Sequence, residues 1–300
     1  MMRKLFRDEN GNMYLLMALT MFLSIGILGL VIDGGQLYMT KSHLQKTANA
    51  AAVSGAQELP NSKESVDQVV GEILGHHNES GSLLFSNVES EKLLHVGVGR
   101  EVPLFFSSLF GIDSVALSAD AKASLLSMTS GIGTVPLGMD ESMDLVYGQT
   151  YTLKVDAGDS ENGNFGILAL DGPGARSYRE SLKYGFDQPL EVGDIVNTQT
   201  GNIAGATREG VNYRIDDCPD GNPEERDCAR IMLIPVYKPH IVGSKLESVE
   251  ITGFAYFYLA DPMSSTDDSI KGVFIKRAGS GESNGEASLD RGAYTIKLTR

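Results

Sequence analysis

The chain has 300 residues, enough for one large domain or two modest ones with a sizeable core. Hydrophobic residues make up 42% and charged residues 21%, the usage of a globular chain and not of a mainly disordered one. Lys and Arg total 25 against 39 Asp and Glu, a net charge of −14, so the clustered cations that a phosphate-tracking surface needs are not to be expected and nucleic acid is set aside as a partner. Two cysteines cannot build an iron–sulfur or all-cysteine zinc site within one chain.

From Tyr14 to Ile32 the sequence reads YLLMALTMFLSIGILGLVI, 19 residues without a charge. As a helix this run is about 28 Å long, the thickness of a hydrocarbon core. It is apolar all round, unlike a core helix with one polar face. Thr20 and Ser24 are its strongly polar side chains, and both can bond back to helix carbonyls. A cleaved signal peptide would carry a shorter apolar region with a small-residue cleavage site behind it; here Asp33-Gly34-Gly35-Gln36 follows. The run reads as a retained single-pass anchor, with membrane lipid as its partner.

Arg3, Lys4 and Arg7 crowd the N-terminal flank, against Lys41 and Lys46 on the other side, which points to a cytoplasmic N-terminus. Residues 1–57 carry a net +2 and residues 58–300 a net −16. The acidic mass therefore lies in the body, expected outside the cytoplasm and tethered to the cell membrane.

Gln36 to Gln57 contains no Pro and, past its start, only Gly55, so the helix is expected to continue as an amphipathic, Ala-rich segment. Ala48, Ala52 and Ala56 recur every four residues, a small-residue seam that lets another backbone approach closely. That seam can pack on the protein's own body or on a partner helix. Residues 58–128 read as a small α+β segment: a strand over Val96–Pro103, a short apolar helix with Pro103 at its first position and Gly111 after its end, and a second strand over Val115–Ala123. Phe105, Phe106, Leu109 and Phe110 are expected to bury that helix on the small sheet.

Thr129 to Thr134 reads as a linker into a β-rich domain over 129–300, where helical periodicity fades. Strands are expected at Tyr147–Val155, Phe165–Leu170, Ile231–Tyr237, Val249–Leu259, Gly272–Lys276 and Tyr294–Leu298, each bounded by Gly, Pro, Asp or Asn. One helix fits Ala175–Lys183, and Ala278–Glu286 reads as a long loop before the last strand. The fold class is α+β, with a sandwich-like or open β body. Cys218 and Cys228 bracket a polar turn; in an exported body they read as a disulfide contributing about 2.5–3 kcal/mol in the chain-entropy picture.

Catalytic and metal-binding patterns are weak. None of the five His lies in a His-Glu-x-x-His frame, and the adjacent His76-His77 point about 100° apart on a helix. No Ser-x-x-Lys frame or phosphate-binding Gly-Lys-Ser/Thr loop occurs. Asp156, Asp159, Glu161, Asn162 and Asn164 offer oxygens for calcium but miss the EF-hand spacing. Asp216, Asp217, Asp220, Glu224, Glu225 and Asp227 cluster around the cysteines. Both clusters read as solvated acidic loops, and no catalytic, metal or cofactor-binding residue is assigned.

The segments Asp8-Glu9-Asn10-Gly11-Asn12, Val31-Ile32-Asp33-Gly34-Gly35-Gln36-Leu37-Tyr38 and Leu44-Gln45-Lys46-Thr47-Ala48-Asn49-Ala50-Ala51-Ala52-Val53-Ser54-Gly55-Ala56, with the uncharged helix between the first two, resemble the TadG-like N-terminal module of the TadE/TadG proteins of tight-adherence (Flp) pilus assembly. Asn49 stands where that family often has Asp. The resemblance covers about residues 8–57, within an N-terminal transmembrane module read as 1–57, and implies an inner-membrane anchor, a cytoplasmic tail and an exported body. The partners it implies are Tad-type assembly proteins or pilins. The Asp-x-Ser-x-Ser frame of the von Willebrand A domains that some TadG-like proteins carry is not found, and the fifth residue after Gly11 is Leu16 where prepilin cleavage wants an acid. The leading expectation is a non-enzymatic pilus-assembly component, with a membrane-anchored binding module for a cell-wall or surface ligand, a minor pilin, and an exported hydrolase as the alternatives.

Overall fold

The computed structural model describes residues 9–154, 165–199, 203–223, 225–242, 245–265, 269–285 and 288–299. One helix, α1, runs unbroken from Glu9 to Ala56, through Gly34-Gly35. The chain divides into two compact units, one of residues 1–55, 64–123 and 298–300 and the other of 56–63 and 124–297. Most of the segments expected at 1–57 and 58–128 falls in the first unit, whose core the C-terminal half of α1 supplies, while 56–63 and 124–128 fall in the second.

In the first unit α1 is followed by α2 (Lys63–His76), β1 (Leu83–Ser90), β2 (Leu93–Pro103), a 3-10 turn (Ser107–Phe110) and β3 (Ser114–Ser127), with the strands in the order β1-β2-β3. Leu44, Ala48, Ala51 and Ala52 of α1 are fully buried, and Val66, Val70 and Leu74 of α2 form a stripe at helical spacing. Leu94, Val96 and Val98 of β2 are buried at the two-residue period of a strand. Small residues set the distance between these layers: a Cβ on Gly55 would lie 2.7 Å from Val70 Cγ2 and 2.8 Å from Leu94 Cδ2. α2 ends where Asn78 takes a left-handed φ of 59° and the Glu79 N–H donates to the Leu74 carbonyl at 2.8 Å, a closure that Asn tolerates.

The second unit contains β4 (Ser130–Gly131), β5 (Leu137–Asp140), β6 (Thr150–Lys154), β7 (Phe165–Ile167), α3 (Ala175–Tyr184), β8 (Leu190–Glu191), β9 (Ile195–Asn197), α4 (Ala204–Asp216), β10 (Ile231–Val242), β11 (Lys245–Asp261), β12 (Ser269–Ile275), β13 (Arg277–Ala278), β14 (Gly281–Glu282), β15 (Leu289–Asp290) and β16 (Ala293–Thr299). Its main sheet runs β6-β12-β11-β10-β5-β7, with β9 and β15 also paired to β11. β10 and β11 form the central antiparallel hairpin and β5 joins β10 in parallel. The strand reading is right at the level of elements, with β10 and β11 each extending beyond the expected ends.

Both faces of this sheet are buried. Met232, Ile234, Val236, Phe257 and Phe274 face Tyr178 and Leu182 of α3 and Val211 and Ile215 of α4. Leu233, Tyr237, Phe254 and Tyr256 form the other face with Met128 and Leu190. Along β11 the odd-numbered Val249 and Ile251 and the even-numbered Phe254 and Tyr256 share that second face. A bulge at Thr252 explains the switch, since Tyr237 pairs with Ile251 and Val236 with Gly253.

Three details depart from the sequence reading. One face of the sheet carries a helix pair where a sandwich would carry a second sheet. The stretch 129–134 is no linker: Thr134 is fully buried, Ser130–Gly131 is a strand paired to β14 and β8, and the Thr129 N–H donates to the Glu282 carbonyl. The loop expected at 278–286 contains the short strands β13 and β14.

α4, absent from the sequence reading, is held by tertiary contacts. Arg214 Nε donates to the Leu182 carbonyl at 2.5 Å and its Nη1 to Ala229 O at 2.8 Å, while burial pulls the guanidinium down to about 10, still cationic at neutral pH. Lys183 and Arg179 of α3 reach Glu209 of α4 at 2.7 and 3.2 Å. A Cβ on Gly210 would lie 2.7 Å from Leu182 Cδ2, so this glycine sets the spacing of the helix pair. Gly210→Val is expected to lower unfolding stability of this unit by about 2–4 kcal/mol, with Gly210→Ala costing less, as read from urea unfolding of the detergent-solubilised protein.

Candidate functional site

The N-terminal part of α1 and the turn at its outer end bring together the features that most need an explanation. From Met13 to Ile32 every residue is exposed except Gly26 and Gly29. Leu15, Phe22 and Leu30 are 73%, 72% and 57% exposed, so among the described residues most of the apolar girth of the helix has no protein cover. The helix satisfies its own backbone, and Thr20 and Ser24 donate their hydroxyls to the carbonyls of Met17 and Thr20 at 2.9 and 2.8 Å. It is long and apolar enough to cross a membrane.

Asp33 ends this run and is buried at 2% exposure. Its carboxylate accepts hydrogen bonds from the backbone N–H groups of Phe105 at 3.1 Å, Phe106 at 3.0 Å and Ser107 at 2.7 Å, and from the Ser107 hydroxyl at 2.7 Å. A buried carboxylate without such donors would be costly; here the start of the 3-10 turn supplies them from one short segment. One helical turn earlier, Gly29 leaves the space that the Phe106 ring fills: a Cβ there would lie 2.4 Å from the ring. Gly29, Asp33 and Phe106 thus lock the turn to the end of the apolar run.

The turn is not the buried helix expected from its composition. It is four residues of 3-10 helix, β2 extends through Pro103, and Phe105, Leu109 and Phe110 are 67%, 80% and 72% exposed. Gly111 does close it, with a left-handed φ of 84° and its N–H on the Ser107 and Ser108 carbonyls. Asp33 and Gly29 were missed as site residues, although a lone acid immediately after an uncharged span was a legible signal.

The other predicted positions fall as follows. Tyr14 and Ile32 are both exposed, within the run that starts at Met13. Ala48, Ala52 and Ala56 are 0% exposed within the chain itself, so the seam is occupied without a partner helix. Cys218 and Cys228 are joined in a disulfide with Cα atoms 5.5 Å apart, packed with Tyr258. Glu225 lies beside the two sulfurs, the one grouping among the described residues close enough to hold a metal, but bridged sulfurs have no thiolate to offer an ion. Asp216, Asp217, Asp220 and Asp227 are exposed around this bridge. The other acidic loop, Asp156 to Asn164, and Glu224 lie outside the described residues.

The histidines separate. His76 is exposed, while His43 reaches the His77 carbonyl at 3.3 Å and Glu79 at 3.4 Å. His95 of β2 bridges Glu89 of β1 at 3.1 Å and Asp120 of β3 at 3.0 Å, with Lys122 2.8 Å from Glu89. This is a charged ladder across three strands, which holds their register. The hydrogen bond from Lys122 holds the Glu89 carboxyl below its ordinary 4.5, with the charges of Lys122 and His95 assisting against burial. A depressed carboxyl stabilises the fold above its unfolded value and loses that contribution as pH falls through the folded one. Acid titration of stability below about pH 4.5 is therefore expected to be shallower in Glu89→Gln than in the parent, as followed by circular dichroism.

Replacing Asp33 tests the lock. Asp33→Ala strands three backbone donors and is expected to cost about 1–3 kcal/mol, with amide hydrogen exchange accelerating at Phe105, Phe106 and Ser107. Asp33→Asn keeps an acceptor oxygen and is expected to accelerate them less.

Residues 11–58 match the model of the protein family described as "Putative Flp pilus-assembly TadE/G-like". No curated protein and no solved structure matches the chain. The matched stretch contains the exposed apolar run, Asp33 and the buried alanine face, and the rest of the chain lies outside it. The chain therefore carries a TadG-like N-terminal module.

Proposed function

We propose that the protein is a non-enzymatic, single-pass component of a Tad/Flp-type pilus assembly system, with its N-terminus in the cytoplasm and its acidic, disulfide-bearing body outside the membrane. The observation that carries this reading is the match over 11–58 to a pilus-assembly family, on a helix whose apolar girth is exposed for the length of a bilayer core. Orientation is supported by Arg3, Lys4 and Arg7 on the inner flank and by the Cys218–Cys228 bridge, which belongs in an oxidising compartment.

The role is positional. The anchor fixes the first unit at the membrane surface, and the body meets pilins, assembly proteins or the envelope. Because the alanine seam is covered within the chain, contact with partner helices falls to the exposed run between Met13 and Ile32.

Native cells separate this reading from a pilin. After shearing, the protein is expected to remain with membranes, to keep its N-terminus, and to crosslink to Tad-system components before detergent extraction. Release with sheared fibres and a new N-terminus near Gly11 would make it a minor pilin instead. Retention in the membrane without any Tad-system crosslink would remove the assembly role.

A further inference from the structure

Leu109 and Phe110 project from a four-residue turn, and Phe105 from the segment leading into it, whose backbone is already held by Asp33 and Gly111, so nothing in the local fold requires large apolar side chains there. Exposed in water, such a cluster is a liability and marks a surface that is covered in the working protein. Depth identifies the cover. The Phe106 ring lies against Gly29, four residues before Asp33 and so about 6 Å further into the uncharged run. The residues of α1 at this level, Leu30, Val31 and Ile32, are themselves 57%, 65% and 53% exposed. The turn thus stands beside the last apolar turn of the span, its exposed side chains continuous with a surface built for lipid. Tyr38, 77% exposed, comes about 7 Å beyond Asp33, the level at which an aromatic hydroxyl meets headgroups.

From this placement we infer that Phe105, Leu109 and Phe110 insert into the bilayer leaflet at the outer end of α1, making the turn a second membrane contact of the interfacial kind. The inference rests on the reading of Tyr14–Ile32 as a membrane span. The occupant is phospholipid, at the boundary of headgroups and acyl chains. A 3-10 turn suits that depth because its exposed end meets headgroup water while its aromatic rings reach the chains.

The chain contains no Trp, so Phe110→Trp installs the sole indole. The full-length variant is reconstituted into phosphatidylcholine–phosphatidylglycerol vesicles with lipids brominated either near the glycerol end or near the methyl end of the chains. Emission is expected to be blue-shifted and reduced roughly twofold by the shallow bromines, and less by the deep ones. Met21→Trp, in the middle of the run, serves as the companion, with the deep bromines quenching it more. Quenching of the companion alone overturns the second contact and leaves the anchor standing. Quenching of neither removes the anchor reading and this inference with it. A blue shift of Phe110→Trp that grows with protein-to-lipid ratio and ignores bromine would assign the patch to a second copy, also overturning it. If Phe110→Trp does not fold, Leu109→Trp reads the same depth.

Discussion

A carboxylate at the end of an uncharged span has two ways to be satisfied: water, or a set of donors aimed at it. Asp33 takes the second, and the arrangement of the first unit follows from it. Its partners are three consecutive backbone N–H groups and a hydroxyl, which only the start of a tight turn can present together. The turn must therefore come to the helix, and β2 and β3, which lead into and out of it, are brought with it. Further along the same helix, Leu44, Ala48, Ala51 and Ala52 are buried in the unit's core. Lys41 donates to the Ser118 carbonyl of β3 and Gln45 to that of Asp120. The span and the unit it carries are consequently one rigid piece, with no hinge at the point where the chain leaves the apolar run.

Close approach is the recurring device in both units. Gly29 receives the Phe106 ring, Gly55 the side chains of Val70 and Leu94, and Gly210 that of Leu182. In β5 and β7, Gly138 and Gly166 pair across the sheet and leave a slot for Tyr237, whose hydroxyl would sit 2.7 Å from a Cβ on Gly166. Burial, reinforced by the nearby charge of Asp140, pushes the Tyr237 phenol well above its ordinary value, as expected for a ring enclosed in this way. A glycine content of 34 that reads, from composition alone, as many turns is therefore also a set of seats for neighbouring side chains.

The long apolar run was legible because length and the exclusion of charge from consecutive residues are written locally. The strands of the body were legible for a similar reason, since alternation and flanking turn residues are local. α4 was not. Gly205, Thr207, Gly210 and Val211 are poor helix formers, and the segment is helical because Arg214 and Glu209 bind it to α3 and its apolar residues cover the sheet. The linker reading of 129–134 failed likewise: small polar residues there pair with strands more than fifty residues away in sequence, a fact no window could contain. Phe105 to Phe110 was misread because apolar residues in a soluble body belong inside. That rule presumes water on the outside, and the turn adjoins, at Gly29, a helix run that is itself apolar and exposed.

A single span leaves a protein free to rotate about the helix axis and to tilt. A second apolar contact displaced from that axis opposes tilt, because leaning the helix away from that side would drag aromatic side chains out of the leaflet, whereas rotation about the membrane normal keeps every group at its depth. The lock at Asp33 and Gly29 transmits that restraint without loss, since the turn cannot move independently of the helix. For a component that has to hold a body at one height and angle above the membrane, tilt is the property that matters, and a rigid off-axis contact is the least elaborate way to limit it.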